Sequence, residues 1–126
     1  MSGNNSLADV LARVEALQAA LQQATSRTDH ERKLEIVNLR RSLALELGGI
    51  SAAAEREPWI ADNQELAHEF HTRFSAMRSM LALHQSQWPA VSLDDVKQPY
   101  HESTRAIRRA SAEFLDWTKA QIATHR

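Results

Sequence analysis

The chain has 126 residues, of which 15 are basic and 16 acidic, giving a formal net charge of −1, and it contains no cysteine. This balance creates no global field to attract nucleic acid or an anionic membrane, and the lack of cysteine excludes disulfides, thiolate nucleophiles and cysteine-ligated zinc. Few glycines and prolines, among many Ala, Leu, Glu, Gln and Arg residues, predict an all-α protein, and the length suits a single domain, residues 1–126. No stretch approaches the roughly 20 apolar residues of a membrane span, and the first residues lack the pattern of a secretory signal, so we expect a cytoplasmic protein.

The N-terminal region, residues 6–50, predicts helices with one regular apolar face. Ser6 and Asp9 stand at capping-box spacing. The apolar residues that follow on one face are Leu7, Val10, Leu11, Val14, Leu17 and Leu21. Residues 25–33 contain no apolar side chain, and Thr28 with Glu31 offers a second capping box. The region therefore predicts either a tight helical hairpin or one uninterrupted helix of about 40 residues.

The second helix, expected from Asp29 to Leu47, is apolar on two sides. One side carries Ile36, Leu39, Leu43 and Leu47, and the other carries Leu34, Val37 and Leu45. Gly48 and Gly49 are the expected C-terminal stop, because glycine adopts the left-handed cap conformation at little cost. A helix with two apolar sides needs two partners, so we expect a homodimer.

Residues 59–126 predict a long helical hairpin. Pro58 either interrupts helical structure or begins a first helical turn. The segment from Asn63 to Trp88 then forms one two-faced helix. Its apolar stripe consists of Leu66, Phe70, Phe74, Met77, Leu81, His84 and Trp88. A last helix, from about Pro99 to Thr124, places Tyr100, Ile107, Phe114, Trp117 and Ile122 toward the core. Together the segments predict an antiparallel bundle of about four helices, completed by the N-terminal helices or by a second chain.

Residues 67–81, AHEFHTRFSAMRSML, resemble the H-box, the phosphoacceptor helix in the dimerisation and phosphotransfer hairpin of sensor histidine kinases. The resemblance implies that His68 accepts a phosphoryl group, and the helix projection puts His68 opposite the apolar stripe. Glu69 is then expected to hold one ring nitrogen and leave the other nucleophilic, while Thr72 positions a water. This chain has His71 where the family has Arg or Lys, and Arg73 where it has proline.

Two other histidine positions have simpler interpretations. His84 lies on the apolar stripe, which is typical of a core or interface histidine with one hydrogen bond. Glu65 and His68 have the Glu-x-x-His spacing of bundle di-metal sites, but such sites need inward-facing copies from two helices. We therefore expect no metal site.

The last helix carries a basic cluster, Arg105, Arg108 and Arg109, at helical spacing from Glu102 and Glu113. This arrangement predicts a solvated face with ion pairs. The sequence contains no Gly-rich phosphate loop, Ser-His-Asp arrangement or pair of catalytic carboxylates, so enzyme activity has little support and we expect no cofactor.

Two functional hypotheses follow from these patterns. The first is a non-catalytic helical protein that regulates or assembles a protein partner through an exposed face. The alternative is a histidine phosphotransfer protein that exchanges phosphate with a receiver domain through His68, Glu69 and Thr72 and has no ATP-binding domain of its own.

Overall fold

The computed structural model describes residues 6–27, 29–89 and 98–125. Within those ranges the regular structure is entirely helical, which confirms the all-α class. The helices are α1 (Leu7–Ser26), α2 (Arg32–Ala54), α3 (Pro58–Ala61), α4 (Gln64–Gln87) and α5 (Gln98–Thr124). Over the same residues, none of these helices is both long and apolar enough to cross a membrane.

The chain divides into two compact units, Met1–Ala61 and Asp62–Arg126. In the first unit, α1 and α2 pack against each other through aliphatic side chains that are at most 3% exposed. These are Leu7, Val10, Leu11, Val14, Ile36, Leu43, Leu47 and Ile50. Arg13, near the start of α1, pairs with Glu46 late in α2, whereas Thr25, at the end of α1, contacts Arg32 at the start of α2. The two helices therefore run antiparallel.

Helix α1 ends at Ser26 and α2 begins at Arg32 as a separate antiparallel helix, so the hairpin alternative is correct and the single long helix is wrong. Ser6 caps α1 as predicted, its Oγ accepting a hydrogen bond of 3.1 Å from the backbone N–H of Asp9. Helix α2 begins at Arg32 rather than Asp29, and its N-cap residue, Glu31, makes no side-chain cap. Thr28, the other half of the predicted second capping box, lies outside the described residues.

The predicted stop at Gly48 and Gly49 is wrong, because α2 continues to Ala54. Neither glycine has a positive φ. Beyond them, Ile50, Ala53 and Ala54 are at most 2% exposed. Burial of this last turn offsets the helix-propensity cost of the glycines, about 1 kcal/mol each. Pro58 is the first residue of α3, which agrees with the second of its two alternatives, the start of a first turn.

In the second unit, α4 begins after Asn63, whose side chain accepts a hydrogen bond of 3.1 Å from the Leu66 N–H. The predicted stripe on α4 is confirmed for Phe70, Phe74, Met77, Leu81 and His84, which are buried, while Leu66 and Trp88 are partly buried. The Phe114 ring of α5 lies 5.6 Å from Phe70, near the start of α4. At the other end of α4, the Trp88 ring lies 5.4 Å from Tyr100, near the start of α5. These contacts make α4 and α5 antiparallel, while the bundle of about four helices and the single domain remain predictions.

Candidate functional site

The candidate phosphoacceptor, His68, lies on the exposed face of α4 together with Thr72, one turn further along the helix. Phe70 and Phe74 point the opposite way, with 0% and 4% of their surface exposed. The amphipathic pattern of the sequence therefore predicts the correct side of α4 for His68. A side chain in this place is open to a macromolecular partner.

A groove along this side of α4 collects the predicted site residues in one place. Its lining residues are Gln64, Glu65, His68, Glu69, Thr72 and Arg73. Two carboxylates, one imidazole, one hydroxyl and one guanidinium thus share an open surface, which brings together all three residues implied by the H-box resemblance.

Glu69 is hydrogen-bonded to Arg73 rather than to His68. The Arg73 Nη2 and Nε atoms donate to Glu69 Oε2 over 2.8 and 3.0 Å. Both side chains are partly exposed, with 40% of Arg73 and 45% of Glu69 accessible. Among the described residues, His68 has no hydrogen-bond partner. The expected contact between Glu69 and the imidazole is therefore absent from this conformation.

Arg73 also connects the groove to α5. Its guanidinium carbon lies 4.9 Å from the centre of the Trp117 ring, in cation–π contact. Helix α4 runs unbroken through this position. The arginine that stands where the H-box family has proline thus joins two helices and holds the Glu69 carboxylate.

His84 is a buried histidine with a hydrogen bond, as predicted, and is 9% exposed. Its Nδ1 atom lies 2.7 Å from Ser103 Oγ on α5, with the donor set by the ring tautomer. The Tyr100 ring packs against it at 5.6 Å between centroids. No local pattern pointed to Ser103, because the residue that faces His84 depends on the register of α5 against α4.

The described residues contain no group of three histidine or carboxylate side chains placed to hold a metal ion. In particular, the arrangement of Glu65, His68 and Glu69 around the groove does not form such a group.

A second exposed feature lies on the outer side of α2, where two leucines are open to solvent. Leu34 is 67% exposed and Leu45 is 75% exposed. Residue 45 follows residue 34 by close to three whole helical turns, so both side chains leave the helix on one side. Leu34 borders a groove with Asn38 and Ser42, and Leu45 borders another with Val10 of α1. The predicted second apolar side of α2 is therefore uncovered at these positions.

Comparison of the chain with protein-family models, curated proteins and solved structures finds no match.

Proposed function

We propose that this protein is a non-catalytic, cytoplasmic helical interaction or regulatory protein that binds a protein partner. The observation that carries the proposal is the exposure of Leu34 and Leu45 on one side of α2. Ile36 and Leu43, on the other side of the same helix, already fill the core with α1. Large apolar side chains exposed on one side of a helix favour a partner that removes them from water.

A lysate experiment tests this proposal. The tagged full chain is compared with the Leu34→Ser/Leu45→Ser variant for retention of proteins from its native lysate. Leu83→Ser is the matched control, because Leu83 is 58% exposed but lies on α4 in the other unit. We expect the double variant to lose the partner and the control to keep it. Retention of the partner by the double variant would refute the proposed interaction face.

A second copy of this chain is the partner we propose first, within an antiparallel bundle of about four helices. Self-association through α2 would bury both leucines with one symmetric contact. Light scattering coupled to size exclusion measures this directly, and the Leu34→Ser/Leu45→Ser variant should elute as a monomer. A wild-type chain that stays strictly monomeric at high concentration would contradict the homodimer.

The second candidate function is histidine phosphotransfer, which is favoured by the exposure of His68 beside Thr72 in one groove. The partner in this case is a receiver domain. The purified chain should not label itself from ATP, since its residues include no Gly-rich phosphate loop. It should accept phosphate from a phosphorylated receiver of its own organism, giving an adduct that is labile to acid and stable to alkali.

His68→Gln should abolish that adduct, whereas Thr72→Ala should leave acceptance largely intact and slow the loss of phosphate from the partner. His71→Gln is the control, because His71 is also exposed on α4 and stacks edge-on against Phe70 at 5.4 Å. An adduct that survived His68→Gln would move the chemistry to another histidine. Failure to accept phosphate from every receiver, with folding verified, would leave the interaction protein as the proposed function.

A further inference from the structure

The outer face of α5 carries three arginines within little more than one helical turn. Arg105, Arg108 and Arg109 are all exposed. Their relative positions, i, i+3 and i+4, make them neighbours on the helix surface. The three side chains therefore form one basic cluster.

The carboxylates nearest in sequence do not pair with this cluster. Glu102 and Glu113 are exposed as well, and in the described part of the chain neither forms an ion pair with any of the three arginines. The expectation of ion pairs on this face is thus wrong for these residues. The order of Arg109 and Glu113 gives one physical reason for the missing pair. The basic residue precedes the acidic one, and this is the weaker orientation for an ion pair four residues apart on a helix.

Some arginines elsewhere among the described residues do bind carboxylates. Arg13 pairs with Glu46 and Arg73 pairs with Glu69 at distances of 3.0 and 2.8 Å. In the basic cluster, by contrast, like charges lie three and four residues apart, a spacing that destabilises a helix. An external anion would relieve that repulsion, and guanidinium groups bind carboxylates in a bidentate fashion.

The size and borders of the cluster decide which anion fits it. Its backbone spans only about 6 Å of helix. A nucleic-acid backbone needs a longer basic stripe, and adsorption to an anionic membrane generally needs four to eight basic residues. Either polyanion would also meet Glu102 and Glu113 at the borders of the cluster. Two or three carboxylates from a short acidic segment match the three arginines and meet less of that repulsion than a longer polyanion.

We propose that Arg105, Arg108 and Arg109 are a docking surface for an acidic segment of a partner protein, with carboxylates about one helical turn apart. This inference rests on the proposed function as an interaction protein and adds the chemistry of the partner. The surface lies on α5, away in sequence from the leucines of α2, so separate variants test the two proposals.

Fluorescence anisotropy measures how tightly the full chain binds a labelled peptide. The peptide is helix-forming and carries glutamates four residues apart. A peptide with glutamine at those positions is the matched probe. We expect the wild type to bind the glutamate peptide, and not the glutamine peptide, with an affinity that falls as salt is raised. The Arg105→Gln/Arg108→Gln/Arg109→Gln variant should lose about tenfold or more in affinity, because it lacks every charge-assisted contact.

A second pair of variants separates local contact from net charge. Arg108→Gln and Arg41→Gln change the net charge equally, but Arg41 is an exposed residue of α2. We expect Arg108→Gln to weaken binding several-fold, Arg41→Gln to leave it unchanged and Glu102→Gln to tighten it. Equal weakening by the two arginine variants would overturn the proposal, as would a folded wild type that does not bind the glutamate peptide.

A single-stranded oligonucleotide and phosphatidylserine vesicles complete the test. If either bound more tightly than the peptide, and did so through the three arginines, the partner class would be wrong. Failure of the arginine docking surface can be distinguished from failure of the proposed interaction through α2. Loss of peptide binding in the arginine variants supports this surface even if the leucine variants keep their lysate partner, which would refute only the α2 face.

Discussion

His84 Nδ1 and Ser103 Oγ lie 2.7 Å apart, joining α4 to α5 within a largely apolar seam. His84 is 9% exposed and continues the stripe that Phe70 and Leu81 begin. A buried ring nitrogen without a partner would cost about 1–3 kcal/mol, so the serine hydroxyl makes the histidine compatible with this position.

The first prediction is that Ser103→Ala destabilises the protein by about 1 kcal/mol, because the substitution removes the hydroxyl at Nδ1. Urea unfolding monitored by circular dichroism measures the change. Ser79→Ala, at an exposed position of α4, is the control and should be neutral or slightly stabilising. Equal effects of the two substitutions would show that the His84 contact contributes nothing to stability.

The second prediction concerns the aromatic core of the second unit. Phe70 is 0% exposed and Phe114 is 2% exposed. Substitution of either ring by alanine should cost about 3–5 kcal/mol, from lost burial and the cavity left behind. His68→Ala should change the free energy of unfolding by no more than about 0.5 kcal/mol, since its side chain is exposed. Urea melts of the three variants decide the matter, and equal losses at His68 and Phe70 would mean that the helix face is assigned wrongly.

Periodicity in the sequence predicts faces of helices better than it predicts their ends. The α4 stripe and the outward position of His68 follow from residue spacing alone, because burial on one side is a property of the helix itself. The end of α2, by contrast, cannot be predicted from residue spacing. Gly48 and Gly49 have the local pattern of a stop, but burial of Ile50 and Ala53 overrides it.

Pairings between polar side chains were the least predictable part of the site. The bonds from Arg73 to Glu69 compete with the expected contact to His68, because a charged guanidinium that donates through two nitrogens is a strong partner for a carboxylate. The contact between His84 and Ser103 depends on the register of two helices, which no local pattern encodes. The three exposed arginines of α5 were visible in the sequence, but their lack of partners within the described residues was not.

The third prediction is that Gly48→Ala stabilises the protein by about 0.5–1 kcal/mol. Residue 48 is helical, and a Cβ atom added there meets nothing within 4 Å. Alanine would therefore reduce the entropy of the unfolded chain without a steric cost. Gly49→Ala tests a more crowded position. Its Cβ would lie 3.7 Å from Val10 Cγ1, which is an ordinary van der Waals distance. Thermal melts should show a higher Tm for both, and a lower Tm for Gly48→Ala would refute the helical geometry assigned to that residue.

The fourth prediction is an acid dependence at the turn between α1 and α2. A hydrogen bond from Arg27 is the main cause that lowers the pKa of Asp29 from 3.8 to about 2. A carboxyl group whose pKa is lower in the folded state stabilises that state above the unfolded pKa, and the contribution is lost as pH falls from about 4 to 2.

Urea midpoints measured across that window should therefore fall less for Asp29→Asn than for the wild type. Asp62→Asn, at an exposed residue of the other unit, is the control and should follow the wild type. High salt should reduce the difference, since the Arg27–Asp29 pair is exposed to screening. Identical acid profiles for Asp29→Asn and wild type at low salt would contradict a stabilising role for the pair.

The last prediction separates the two contacts of Arg73, the ion pair with Glu69 and the cation–π contact with Trp117. In the ion pair, the Arg73 side chain is 40% exposed and the Glu69 side chain is 45% exposed. The pair spans one helical turn, so it should contribute only about 0.3–0.5 kcal/mol to stability. The contact with Trp117, at 4.9 Å, should contribute about 0.5–1 kcal/mol. Arg73→Met should therefore cost more than Glu69→Gln, and Arg73→Lys should recover only part of the loss. A double-mutant cycle of Arg73→Met with Trp117→Leu measures the coupling between α4 and α5, and a coupling energy near zero would show that the stacked geometry does not contribute to stability.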